Sequence, residues 1–200
     1  MSPQITKNKM DLIFATGNKN KLSEAQAILE GHKILSLKDI GFSGDIPETH
    51  DTIFDNAKEK ALFLWNLYKT PCFSDDTGLE VDALGGEPGV YSARYAGDSK
   101  NPDKNNEKLL KNLKGVENRK AKFHTEVVLV LDGKVYGFAG YVNGVITNEK
   151  RGLHGFGYDP VFMPDGYDKT LAELPPEEKN KISHRGEALK KMSEFLLRFS

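Results

Sequence analysis

Apolar residues run together at Met10-Asp11-Leu12-Ile13-Phe14-Ala15 and stop at Thr16-Gly17-Asn18, the pattern of a buried strand entering a turn. Leu22, Ala25, Ile28 and Leu29 then recur at helical spacing up to Gly31. Lys33-Ile34-Leu35-Ser36-Leu37 supplies a parallel neighbour, so the chain opens as a β-α-β unit. Turn formers fill Gly41 to His50. Thr52 is placed to cap the longest helix, which carries Ile53, Phe54, Ala57, Ala61, Leu64, Trp65 and Tyr68 and is closed by Pro71. On that helix Thr52, Asn56 and Lys60 fall four apart and interrupt an otherwise apolar face.

Cys72-Phe73-Ser74 starts the strand that delivers Asp75 and Asp76, adjacent carboxylates that repel and are a poor choice for a strand end. Leu84-Gly85-Gly86-Glu87-Pro88-Gly89-Val90 follows as tight turns. Asn101-Pro102 opens a helix through Leu109, Leu110 and Leu113, stopped by Gly115. From Ala121 the texture changes to alternation. Phe123 to Leu131 reads as a strand, Asp132-Gly133 as a hairpin turn, Val135 to Tyr141 as the return, and Asn143-Gly144 as a further turn. The loop Arg151 to Pro160 ends this region. A last helix bears the stripe Ala188, Leu189, Met192, Phe195, Leu196 and Phe199, with Ser183 as its expected cap.

At 200 residues and 38% hydrophobic content the chain fits one globular domain, or one with a smaller lobe. A formal charge of −1 argues against nonspecific binding to nucleic acid or membrane. No apolar run nears the ~20 residues that span a bilayer. Met1 to Lys7 lacks the apolar core of a signal peptide. Cys72, the single cysteine, stands in an apolar setting and reads as an inert core thiol. A cytoplasmic protein is the expectation.

Five groups of residues carry candidate chemistry. Magnesium prefers hard carboxylate oxygens, one or two from protein with water and phosphate completing the shell. Asp75 and Asp76 suit it, Glu48 before the long helix offers a third acid, and a solvated acidic loop is the plainer alternative. Thr16-Gly17-Asn18-Lys19-Asn20-Lys21 joins a strand to a helix, and helix N-termini attract phosphate. The Gly-Lys-Ser/Thr tail of a P-loop is missing, so an ordinary capped turn fits equally. Lys60 and Asn56 face the same way, and a lysine on an apolar face either snorkels or meets an anion. Gly155-Phe156-Gly157-Tyr158-Asp159-Pro160 sets two aromatics among glycines, where an exposed ring can stack on a base; the alternative tucks one ring into the core. Lys179, His184 and Arg185 form a basic cluster, in which Arg185 can grip phosphate or a base carbonyl. His32, His50, His124 and His154 show no metal-ligand spacing.

Together these pieces itemise a nucleoside triphosphate site. Ala15-Thr16-Gly17-Asn18, Ser74-Asp75-Asp76-Thr77-Gly78-Leu79, Pro88-Gly89-Val90-Tyr91-Ser92-Ala93-Arg94-Tyr95, Phe156-Gly157-Tyr158-Asp159-Pro160 and Ser183-His184-Arg185-Gly186 occur in order from Asp11 to about Leu197. In these motifs the chain closely resembles the inosine/xanthosine triphosphate pyrophosphatase family, house-cleaning enzymes for non-standard purine nucleotides. The resemblance implies an elongated α/β fold, a single domain over 1–200 with a central mixed β-sheet flanked by helices, two lobes and a substrate cleft between them. It implies a Mg²⁺-dependent homodimer that hydrolyses ITP, dITP and XTP to the monophosphate and pyrophosphate; the near-zero charge already argued against a nucleic-acid polymer or membrane as partner.

Carried over residue by residue, Thr16, Gly17, Asn18, Lys19, Asn20 and Lys21 would bind the triphosphate. Glu48 and Asp76 would hold the metal, and Asp76 would accept the proton of the attacking water. Thr77, Asn56 and Lys60 would touch substrate. Phe156, Gly157, Tyr158 and Asp159 would hold the base, with Lys179, His184 and Arg185 completing the pocket. Thr77 replaces a frequent serine but keeps the hydroxyl, and Leu153-His154 stands where smaller residues are expected. Hypoxanthine and xanthine present an acceptor at position 6 where adenine presents a donor, so a donor from Arg185 or backbone would reject ATP. Guanine shares that acceptor and must be turned away at position 2. A nucleotide-binding regulatory module without catalysis is the competing reading, and it has no need of both Glu48 and Asp76. A receiver domain would place its acid pair after the first strand, not beyond residue 70.

Overall fold

The opening β-α-β unit forms where the periodicity puts it. In the computed structural model, which describes residues 9–199, β1 (Asp11–Phe14) buries Leu12, Ile13 and Phe14, and α1 (Lys19–Ile28) returns the chain to β2 (Lys33–Leu35). The two strands pair in parallel, Leu12 opposite Ile34. On its other side β1 runs parallel to β3 (Cys72–Val81), with Ile13 opposite Cys72 and Phe14 opposite Phe73. The segment Met1 to Lys7, read above for a signal peptide, lies outside the described residues.

Helix α2 (Ile53–Tyr68) starts at Thr52, whose side chain accepts from the Asp55 backbone N–H. It stops at Lys69, which adopts φ 52° in the left-handed region, a common way for a helix to end. After β3, β4 (Pro88–Gly89) pairs antiparallel with it. Helix α3 (Pro102–Asn112) is capped by Asn101, and β5 (Lys120–Leu131) and β6 (Lys134–Ile146) flank the predicted Asp132-Gly133 turn. The antiparallel partner of β6 is β7 (Phe162–Pro164). Helices α4 (Pro176–Ile182) and α5 (His184–Leu196) close the chain. The sheet is mixed, in the order β2-β1-β3-β5-β6-β7 with β4 on β3.

Two expectations change. The acids do not lie at a strand end: β3 continues through Asp75 and Asp76 to Val81, because lysines from other elements meet their charge. Asn143-Gly144 is no turn either. Strand β6 passes straight through it, and Gly144 pairs with Pro164. A Cβ at Gly144 would collide with the Met163 carbonyl, so the glycine serves close strand approach instead of a reversal. Helix α4 was not anticipated, since Pro-Glu-Glu-Lys-Asn-Lys-Ile carries almost no apolar periodicity.

The chain divides into two compact units. The first comprises the described residues up to Asp76, Glu126–Phe138 and the chain from Gly186. Strand alternation gives it two apolar layers. Leu12, Phe14, Phe73, Val127 and Leu129 pack with Ala188, Leu189, Met192 and Leu196 of α5. The intervening residues Ile13, Ala15, Cys72, Val128 and Val130 pack with Ala57, Ala61 and Leu64 of α2. Phe14 stacks on Phe73 at 4.3 Å, and each such fully buried side chain contributes roughly 1.5–3 kcal/mol. The second unit, Thr77–Thr125 and Ala139–Arg185, gathers Leu79, Val81, Phe123, Ile146, Val161 and Phe162 around Leu109 of α3 and Leu113 just beyond its end. Among the described residues no helix is long and apolar enough to cross a membrane.

Candidate functional site

The first unit builds its chemistry around Lys60. Helix α2 buries this side chain, and its ammonium lies 2.6 Å from Glu48 Oε1 and 3.9 Å from Asp76 Oδ1. It also donates to the Asp75 backbone carbonyl at 2.8 Å. Burial alone would lower the Lys60 pKa. Asp76, Glu48 and Asp75 outweigh that and raise it, so the lysine is held as a cation. Asp76 is pushed the other way from an ordinary carboxyl: burial raises its pKa, against the lowering pull of Lys60 and Lys21.

Asp75 is buried and its carboxylate receives Lys21 Nζ at 3.0 Å. Lys21 therefore turns inward from α1 instead of standing at the mouth of the loop. The rest of that loop is a built cap. Asn18 accepts from the N–H groups of Asn20 and Lys21, and Thr16 Oγ1 accepts from the Asn18 N–H. Gly17, Asn18, Lys19 and Asn20 are exposed. Asn56 ties its helix to the preceding loop. Its amide donates to the His50 carbonyl at 3.0 Å and accepts from the His50 N–H at 2.9 Å. This clasp holds the loop that carries Glu48.

Among the described residues no set of three or more His, Cys, Asp or Glu side chains is gathered as a metal cage. The donor set still fits magnesium. Two carboxylates, Glu48 and Asp76, converge on one positive atom, and magnesium takes one or two protein carboxylates with phosphate and water filling its other positions.

The second unit assembles an aromatic and basic cluster. Phe156 is half-buried, with Lys179 Nζ 4.5 Å and the Arg185 guanidinium 5.4 Å from its ring centre. Cations over a ring face are attracted by its quadrupole, which fixes Phe156 relative to both. Asp159 shapes the loop: it accepts from the Phe156 N–H at 2.7 Å and pairs with buried Lys179 at 2.9 Å. Gly155 adopts φ 77°, and a Cβ there would run into the Asp159 carboxylate. Gly157 presents its carbonyl to Asn106 at 2.9 Å.

Of the two aromatics, Tyr158 goes into the core. Its hydroxyl donates to the Ser92 carbonyl at 2.9 Å, and burial raises its pKa. Phe156 is thus the ring left for a flat ligand. Arg185 and His184, the first residues of α5, are both buried. Arg185 Nη2 reaches Thr77 Oγ1 at 3.4 Å, and His184 lies against Phe123 at 4.6 Å between ring centres. Two residues of this cluster escape the sequence reading, Asn106 and Thr125. Thr125 had a signal: it shares a strand face with Phe123 and Val127, and an inward hydroxyl needs a partner.

An acid and lysine cluster together with an aromatic and basic cluster, on a mixed sheet with helices on both faces, define a nucleotide-handling α/β protein. The chain belongs to the Ham1 family, whose sequence profile matches residues 12–195. It is 55% identical over 188 residues to a dITP/XTP pyrophosphatase of Flavobacterium johnsoniae, covering 94% of this chain and 98% of the relative. A dITP/XTP pyrophosphatase of Bacillus subtilis is 46% identical over 191 residues, covering 93% and 96%. Among solved structures, the Staphylococcus aureus Ham1 protein superposes with a TM-score of 0.87 at 36% identity, covering 95% of this chain and all of that one.

Proposed function

We propose that the protein is a magnesium-dependent pyrophosphatase for ITP, dITP and XTP, releasing the nucleoside monophosphate and pyrophosphate. The observation that carries this reading is the convergence of Glu48 and Asp76 on the buried Lys60 ammonium, in a chain about half identical to proteins named dITP/XTP pyrophosphatases. Glu48 and Asp76 would hold Mg²⁺, which when bound offsets the charge of the triphosphate and lowers the barrier to nucleophilic attack.

The protein's own side chains do the rest. Asp76 accepts the proton of the attacking water; burial makes it a stronger base than an ordinary aspartate. The water oxygen bonds to phosphorus, the anhydride between the α and β phosphates breaks, and pyrophosphate leaves with the bond electrons. Lys60 is already cationic and needs no reorganisation to stabilise charge on the departing group. Lys21, anchored on Asp75 at 3.0 Å, carries positive charge at the start of α1. Asp75 thereby positions a lysine. In the second unit, Phe156 stacks on the purine, Lys179 and Asp159 fix the loop, and His184 and Arg185 read the base edge. A homodimer, resting on the family resemblance, and a cytoplasmic location, resting on composition, complete the proposal; light scattering on the purified protein tests the dimer.

The deciding experiment is a turnover screen of ITP, dITP, XTP, ATP and GTP with Mg²⁺ and product identification. Pyrophosphate release from the first three, far slower with ATP and GTP, is expected. Equal rates on standard nucleotides would remove the specificity, and orthophosphate as the product would remove the reaction.

A further inference from the structure

Thr125 is completely buried on β5, and its hydroxyl oxygen lies 2.7 Å from Thr77 Oγ1 and 2.5 Å from His184 Nδ1. Arg185 Nη2 approaches Thr77 Oγ1 from 3.4 Å. These four side chains form one line of hydrogen bonds, and proton counting gives it a direction. A hydroxyl has a single proton, so Thr125 donates at one end and accepts at the other. The Arg185 guanidinium only donates. When the line runs from Arg185 to Thr77 to Thr125 to His184, both hydroxyl protons meet an acceptor within it. Reversed, Thr77 would accept from both neighbours, and its own proton would have no acceptor in the line. The forward direction makes Nδ1 of His184 an acceptor, which leaves the proton of the neutral ring on Nε2. Packing against Phe123 fixes the ring plane.

We propose that Thr125 is a positioning residue that holds His184 in the Nε2–H form, and that this fixed donor selects purines with an acceptor at position 6. The proposal rests on the reading that His184 faces the base. With a preset donor, hypoxanthine and xanthine are matched, whereas the 6-amino group of adenine sets a donor against a donor. A site with a fixed hydrogen-bonding pattern discriminates more strongly than one that can rotate or change tautomer, because the mismatched ligand leaves a desolvated donor unpaired. The same line ties Thr77, next to Asp76 in sequence, to the base-reading residues.

Long-range ¹H–¹⁵N correlation spectra of the labelled full-length protein, in mildly alkaline solution where a free imidazole is neutral, read the tautomer directly. His184 is expected as Nε2–H with Nδ1 unprotonated. A ring protonated on Nδ1, alone or with Nε2, would overturn the proposal without any mutation. Thr125→Val, which keeps the shape and removes the hydroxyl, should abolish the single tautomer and lower the ITP-over-ATP ratio in kcat/KM by about tenfold or more. Thr125→Ser should keep both. An unchanged ratio in Thr125→Val, or loss of the ratio in a folded Thr125→Ser, contradicts the assignment. Failure of the wild-type protein to turn over ITP at all would instead remove the functional reading, and the spectra would still report the tautomer.

Discussion

Lys60 Nζ stands 2.6 Å from Glu48 Oε1 in the buried face of α2, with Asp76 on its other side. The lysine offsets the repulsion between the two acids. Lys60→Met removes the cation and keeps the aliphatic stem. It should destabilise the protein by about 3 kcal/mol, as expected when a buried pair loses one partner. Because Glu48 and Asp76 then lose the ammonium they share, millimolar Mg²⁺ should raise the melting temperature of Lys60→Met more than that of the wild type. Equal Mg²⁺-dependent shifts in the two proteins would argue that these acids do not share a metal.

Asp76→Asn should separate activity from stability. Loss of the general base lowers kcat by roughly 10²–10⁴-fold. Stability should move the other way. Burial raises the Asp76 pKa above 3.8, so the folded state binds that proton more tightly than the unfolded chain does. The stabilisation this gives is complete below pH 3.8 and is lost as pH rises through the folded value, so at neutral pH the ionised carboxylate is a net cost. Metal-free Asp76→Asn should therefore melt higher than the wild type at neutral pH, and the gap should close on acidification. A lower melting temperature at neutral pH would mean that the pairing with Lys60 outweighs burial.

Phe156 is the ring that the loop leaves for a ligand, since Tyr158 is committed to the Ser92 carbonyl. Stacking of a base on an aromatic ring is worth about 1–3 kcal/mol. Phe156→Ala should then raise KM for ITP by about 10- to 100-fold with a smaller change in kcat, while Phe156→Tyr stays near wild type. Steady-state kinetics on the two variants decides this. A fall in kcat alone, with KM unchanged, would detach the ring from substrate binding.

The sequence pattern located most elements because apolar periodicity follows burial, and burial here is regular: Leu12 and Phe14 face one layer, Ile13 and Ala15 the other. It failed where local signals were overruled by distant partners. Asn143-Gly144 has the composition of a turn, yet its conformation is set by Met163 across the strand pair. Asp75-Asp76 reads as a poor strand end until Lys21 and Lys60 arrive from two helices. Glu48, Asp76, Phe156 and Arg185 could be singled out from residue type and motif, and the structure gathers Glu48 with Asp76 and Phe156 with Arg185. The contacts of Asn56, Asn106 and Thr125 were not legible, because each is set by hydrogen-bond partners that residue type and spacing do not reveal.

Cys72 offers a test of the first unit's core. It is wholly buried on β3 between layers, its thiol donates to the Ala61 carbonyl at 3.1 Å, and burial pushes its pKa up to about 12. The thiolate is the reactive species, and at pH 8 a group with a pKa of about 12 is ionised to about one part in ten thousand. Native protein should thus resist alkylation by iodoacetamide, and reaction should follow the unfolding rate and become immediate in denaturant. The raised pKa also has a stability consequence with a definite sign. The folded state keeps the thiol proton that the unfolded chain loses near pH 9, so its contribution is intact below pH 9 and declines between pH 9 and about 12. Cys72→Ala removes this titration, and its melting temperature should fall less steeply than that of the wild type over the same alkaline window. Rapid alkylation of the native protein at pH 8, or parallel alkaline profiles for the two proteins, would show that Cys72 is reached by solvent.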